Sequence, residues 1–130
     1  MTHANQEIIH RFFEAYGKHD MDALREVMAE DVTWNFPGRS QVSGVIRGLP
    51  DVVAFFDRIS QFEMRSDTYV TGANDDYIVE AQRTYTVAPD SDFEMEYCVL
   101  WRFADGKIVN GTHLCADQHR ADAFFDEVAR

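Results

Sequence analysis

The stretch from Asp31 to Ile59, DVTWNFPGRSQVSGVIRGLPDVVAFFDRI, restricts the fold more than any other part of the chain. Val32 to Phe36 reads as an extended segment, and Pro37-Gly38 breaks it. After a loop, Val45 to Arg47 forms a short second extended piece that ends at Gly48. Pro50 then stands where a first helical residue stands, with its fixed φ and no N–H to lose. Val52, Val53, Phe55, Phe56, Ile59 and Phe62 follow at helical spacing.

The flanking segments extend the pattern. Asn5 to Tyr16 reads as a helix, with Ile8, Ile9, Phe12, Phe13 and Tyr16 on one apolar stripe and Gly17 as its stop. Asp20 is placed to cap a second helix whose Leu24, Val27 and Met28 point inward. Beyond the central stretch, Met64 to Ala73 reads as a strand closed by a turn at Ala73-Asn74-Asp75-Asp76. Tyr77 to Val87, Phe93 to Phe103 and Lys107 to Ala116 read as three more strands. Pro89-Asp90-Ser91-Asp92 is a turn cluster. Gln118 to Ala129 closes the chain as a helix, through Ala121, Phe124, Phe125 and Val128. Helices first and an antiparallel run afterwards is an α+β order. The chain has no repeats or interdomain linker, so residues 1–130 read as a single domain, large enough for a real core.

Net charge is −11. A surface of that sign repels nucleic-acid phosphates and anionic membranes, so neither is expected as a partner. No run reaches transmembrane length, and MTHANQEII has no apolar signal core. The expectation is a soluble cytoplasmic protein. Cys98 and Cys115 then read as free thiols.

Strand, glycine-punctuated loop and helix following two N-terminal helices resemble the ketosteroid-isomerase-like, SnoaL-like superfamily, also named after nuclear transport factor two. The resemblance covers nearly the whole chain. It implies a cone-shaped α+β domain, a curved antiparallel-rich sheet packed on the helices around a pocket. It does not carry over the isomerase chemistry, which uses an Asp base with a Tyr and a protonated Asp as oxyanion donors. Those positions fall at Phe36, Phe12 and Val99, none of which can exchange a proton. The same landmarks imply a lining of Phe12, Tyr16, Trp34, Phe36, Phe55, Tyr97, Val99, Trp101, Gly111, His113 and Cys115. Gly111, without a side chain, leaves room. Gln82 and Thr84 alternate on the middle strand and add hydrogen bonds if they point inward; Arg83 and Tyr85 then face out. An aromatic cavity of this composition suits a flat hydrophobic small molecule.

The last hairpin decides what His113 faces. A two-residue Asp105-Gly106 turn sets Cys98 opposite His113. A three-residue Ala104-Asp105-Gly106 loop sets Phe103 opposite Lys107, Val99 opposite Gly111 and Tyr97 opposite His113. The second register is preferred, because it puts Tyr97, Val99, Trp101 and Phe103 on the concave face. Cys115 then lies on that face and Cys98 on the other. The convex face carries Cys98, Leu100, Leu114 and Tyr85, too apolar for a free sheet face. Members of the superfamily commonly dimerise there, and a homodimer is the expectation against scattered apolar residues on a monomer.

His113 is the titratable group singled out. On the concave face, an imidazole can take a proton from a carbon acid or from water near neutral pH. Tyr97 can orient it or donate to a developing oxyanion. The competing reading is a core histidine held by one hydrogen bond. Asp117, at the strand end, can hold an imidazole or line the pocket mouth; the N-cap of the last helix is the preferred role. No metal motif occurs. Resemblance to the SnoaL-like polyketide cyclases implies acid–base chemistry without metal or cofactor, on a hydrophobic carbonyl or polyketide-like compound. A non-catalytic binding module and a protein-interaction domain with a filled pocket are the alternatives.

Overall fold

The computed structural model describes residues 3–89 and 91–129. Helix α1 spans Ala4–Gly17 and α2 spans Met21–Val27. Strands β1 (Met28–Phe36) and β2 (Gly44–Arg47) lead into α3 (Leu49–Ser60). Strands β3 (Met64–Ala73), β4 (Tyr77–Thr86), β5 (Glu94–Ala104) and β6 (Lys107–Cys115) precede α4 (Gln118–Val128). The six strands form one sheet in the order β2-β1-β6-β5-β4-β3. Only β1 and β6 pair in parallel; the other neighbours are antiparallel. The architecture is the expected α+β one, with a mixed sheet. Among the described residues no helix is long and apolar enough to cross a membrane.

Local chemistry accounts for the helix ends. The His3 ring accepts from Asn5 N–H while the Gln6 side chain accepts from His3 N–H, a reciprocal cap that starts α1. The Asp20 carboxylate accepts from Ala23 N–H at 3.1 Å and starts α2. Helix α2 is shorter than its apolar pattern implied: it ends at Val27, and Met28 already belongs to β1. Met28 is still fully buried, so the inward position was right and the element wrong. Gly48, at φ +90°, turns the chain into α3. Asp117 accepts from Arg120 N–H at 3.2 Å and caps α4. In α4, Ala121 and Phe125 are buried while Val128 is exposed. Of the Pro89-Asp90-Ser91-Asp92 turn, Asp90 lies outside the described residues.

The core is aromatic. Trp34 and Trp101 meet edge to face at 5.1 Å, and Phe12 packs on Trp101 at 6.0 Å. Tyr97, Val99, Trp101 and Phe103 of β5 all point into this core, as their alternation implied. The strand register differs from both expected ones. Ala104 pairs with Lys107 across a two-residue Asp105-Gly106 turn. Both turn residues have positive φ, 52° and 76°, the geometry whose twist matches the strands and which Asp-Gly favours. The register then slips between the Phe103–Ile108 and Arg102–Asn110 pairs, leaving Val109 as an extra residue in β6. Beyond this bulge Trp101 faces Gly111, Val99 faces His113 and Tyr97 faces Cys115. The bulge lets Ile108 and His113, five positions apart, both point inward.

Candidate functional site

The end of the sheet away from that hairpin does not close on itself. A cavity of about 160 Å³ lies between the ends of β1 and α3, strands β3 to β6 and α4. Phe36 and Phe125 form its apolar wall, with ring centroids 5.2 Å apart. Ile59 and Ser60 close α3 against it, and Met64 and Ser66 enter from β3. Gln82 and Thr84 point in from β4, so Arg83 and Tyr85 face out. Ser66 and Thr84 share a hydrogen bond of 2.8 Å. Tyr97 and His113 supply the remaining polar groups.

His113 sits among rings: Phe36 at 5.3 Å, Trp34 at 5.6 Å and Tyr97 at 6.2 Å between centroids. The side chain is half-buried, its open part facing the cavity. Enclosure by these rings lowers its pKa from 6.5 to about 4, because the protonated ring loses water and gains no partner. The imidazole is therefore neutral at ordinary pH, with one N–H and one bare nitrogen. Tyr97 is 6% exposed, and its hydroxyl has no hydrogen-bond partner among the described residues. Burial raises its pKa first, with the charges of Cys115 and Asp122 adding to the effect. Tyr97 thus keeps its proton and can donate it.

Of the residues expected at the site, Phe36, Gln82, Thr84, Tyr97 and His113 meet around this cavity. The others lie elsewhere. Phe12, Trp34, Val99 and Trp101 are buried in the core beneath it. Phe55 packs behind Phe36 at 5.2 Å. Gly111 leaves no room for a ligand, because the Trp34 indole fills the space its side chain lacks. Tyr16 turns away and donates to Asp57 at 2.8 Å, and burial with that carboxylate pushes its pKa up to about 12. Cys115 directs its thiol at Gln118, 3.4 Å away. Asp117 is occupied as the α4 cap.

Ile59, Ser60, Met64, Ser66 and Phe125 were not foreseen in the lining. Phe125 carried a signal: it lies one residue after Phe124 on an amphipathic helix that had to close the open end. Ser66 carried none, since it sits on a strand whose residues are nearly all exposed. Among the described residues no three His, Cys, Asp or Glu side chains gather as a metal site would require.

The model of the SnoaL-like domain matches residues 9–111. The chain belongs to the SnoaL-like family. An uncharacterised protein of Mycobacterium tuberculosis is 23% identical over 126 residues, covering 94% of this chain and 96% of that protein. Bal32a, from a soil-derived mobile gene cassette, superimposes with a TM-score of 0.78 at 23% identity, covering 93% of this chain and 95% of Bal32a. TerC, co-crystallised with polyporic acid, superimposes with a TM-score of 0.73 at 17% identity, covering 95% and 98%. At these identities the likeness to the two structures concerns the SnoaL-like fold itself.

Proposed function

We propose that this SnoaL-like domain binds a hydrophobic carbonyl or polyketide-like compound in the cavity at His113 and exchanges a proton with it, without a cofactor. One observation carries the reading: a neutral imidazole and Tyr97, whose buried hydroxyl has no partner among the described residues, line one cavity together with Ser60, Ser66, Gln82 and Thr84. In this reading the bare nitrogen of His113 takes a proton from the carbon beside a carbonyl. The Tyr97 O–H donates to the oxygen where negative charge gathers. The enolate forming beside the imidazolium supplies a partner for its positive charge, and this offsets the burial that makes His113 a weak base. Returning the proton to a second carbon completes an isomerisation with no net change in atoms or charge. TerC, which shares this fold, was co-crystallised with a small organic acid, polyporic acid, and that fits a small-molecule reading. The low basicity of His113 favours one second reading, binding without turnover.

A thermal-shift screen of flat hydrophobic ketones, quinones and phenols tests both, with wild type beside His113→Ala. A compound at about a hundred times its Kd adds about 2.7 kcal/mol of apparent stability. For a domain of this size that is a rise of several degrees. A rise in wild type that changes in the variant, followed by turnover of that compound, supports the first reading; a rise without turnover supports the second. No shift across the panel removes both.

The convex sheet face supports a homodimer as part of the same proposal. Leu114 is 49% exposed there and Val79 38%, beside half-buried Cys98 and Leu100. An apolar strip across three adjacent strands fits burial against a second copy. Leu114→Glu is expected to convert the dimer to a monomer in sedimentation equilibrium; a wild-type monomer at high concentration rejects the dimer.

A further inference from the structure

We infer that the cavity takes a neutral, single-ring ligand carrying one hydrogen-bonding oxygen at its buried end, of the phenol or cyclic enone class. This rests on the cavity being a binding site, as proposed above, and narrows what enters it.

Size is the first constraint. About 160 Å³ is close to the cavity of about 150 Å³ that holds benzene, and well below the roughly 300 Å³ at which drug-sized pockets begin. The wall that would have to yield to a second ring is Phe36 against Phe125, and Phe36 is itself backed by Phe55. These aromatics lie in the packed core and cannot step aside without disturbing it.

The buried polar groups set the second constraint. The Tyr97 hydroxyl is shut away from water and has no hydrogen-bond partner among the described residues, a costly arrangement in a native interior. Beside it the His113 ring offers one N–H and one bare nitrogen, with no hydrogen bond from the described residues. A ketone oxygen can accept from both O–H and N–H. A phenol can accept from Tyr97 and donate to His113. A plain hydrocarbon leaves both groups unsatisfied.

Charge is the third constraint. No Lys or Arg lines the cavity among the described residues. The carboxylate of Asp122 acts on Tyr97 as a negative charge, and the whole chain carries −11. A carboxylate ligand would lose its water without gaining a cation. The exposed end differs: Ser60 and Ser66 face water there, so substituents on the far side of the ring can remain solvated.

Calorimetric titration of the full chain at neutral pH with phenol, cyclohex-2-enone, toluene, benzoate and 2-naphthol tests these constraints. Phenol and cyclohexenone are expected to bind about tenfold or more tighter than toluene. Naphthol is expected to bind more weakly than phenol, and benzoate not to bind. Tyr97→Phe should lose about tenfold in phenol affinity and keep its toluene affinity, which also reports that the cavity is intact. Toluene matching phenol, benzoate binding as phenol does, or naphthol binding tighter overturns the ligand class while leaving the cavity a binding site. Failure of every compound removes the binding site and this inference with it.

Discussion

Gly111→Ala is expected to destabilise the domain by about 3 kcal/mol, the upper part of the range for overpacked cores. The new methyl would overlap Cζ3, Cε3 and Cη2 of Trp34. The indole has no direction in which to retreat. Trp101 stands 5.1 Å away, Phe56 4.9 Å and His113 5.6 Å, each edge-on to it. Trp34 is fully buried, so the strain passes into packed neighbours and not into water. For a chain of this length the melting temperature should fall by about 10 °C. Adding Trp34→Phe should recover part of that loss, because the smaller ring vacates the space the methyl needs. The double variant should therefore be more stable than the sum of the two single effects implies. A Gly111→Ala protein melting within about 2 °C of wild type would show that the indole can shift, and would reopen the space beside Gly111 for a ligand.

That glycine also marks where reading the sequence stopped short. An absent side chain beside aromatic residues reads equally as space for a ligand and as space for a neighbour. The choice depends on the rotamer of Trp34, a property of the packed core that no local pattern encodes. Strand and helix positions were legible, since Met64–Ala73 follows from turn residues and alternation alone. Cross-strand pairing was not legible: the preferred three-residue loop fails at the turn itself, and the Val109 bulge then moves the pairing off the two-residue alternative as well. A clue was present: Ile108 and His113 differ in parity, so a regular strand cannot turn both inward. The inward set of β5 survived the wrong loop, because burial of Tyr97, Val99, Trp101 and Phe103 is set by their own alternation.

The cavity itself was legible on one side. His113, Tyr97, Gln82 and Phe36 lie on strands whose facing the sequence constrains. The other side comes from the end of α3 and from α4, whose docking depends on tertiary contacts such as Gln118 Nε2 donating to the Pro37 carbonyl at 3.0 Å. Nothing local in Pro37-Gly38 announces that contact. The broad aromatic lining implied by resemblance contracted to a small cavity because the two tryptophans and Phe12 pack on one another.

His113 carries the second large effect, on the pH dependence of stability. Its pKa is about 4 in the folded protein and near 6.5 when unfolded. Between those values the unfolded chain binds a proton that the folded one refuses. The stability tied to the neutral ring is therefore complete above pH 6.5 and is lost as pH falls toward 4. The full shift corresponds to about 3 kcal/mol; partial access of water through the cavity reduces this to about 2 kcal/mol. Carboxylates and the other four histidines contribute their own slopes, so the quantity to measure is a difference. Urea midpoints of wild type and His113→Phe, followed from pH 7.5 to 4.5, should diverge by about 2 kcal/mol, with wild type losing more. Phenylalanine keeps the ring contacts with Phe36 and Trp34 and removes only the titration. Parallel curves would mean that the imidazole is protonated as easily inside the fold as outside it. A cation could then sit in the cavity without a partner, and the chemistry proposed for a neutral His113 would fail with the prediction.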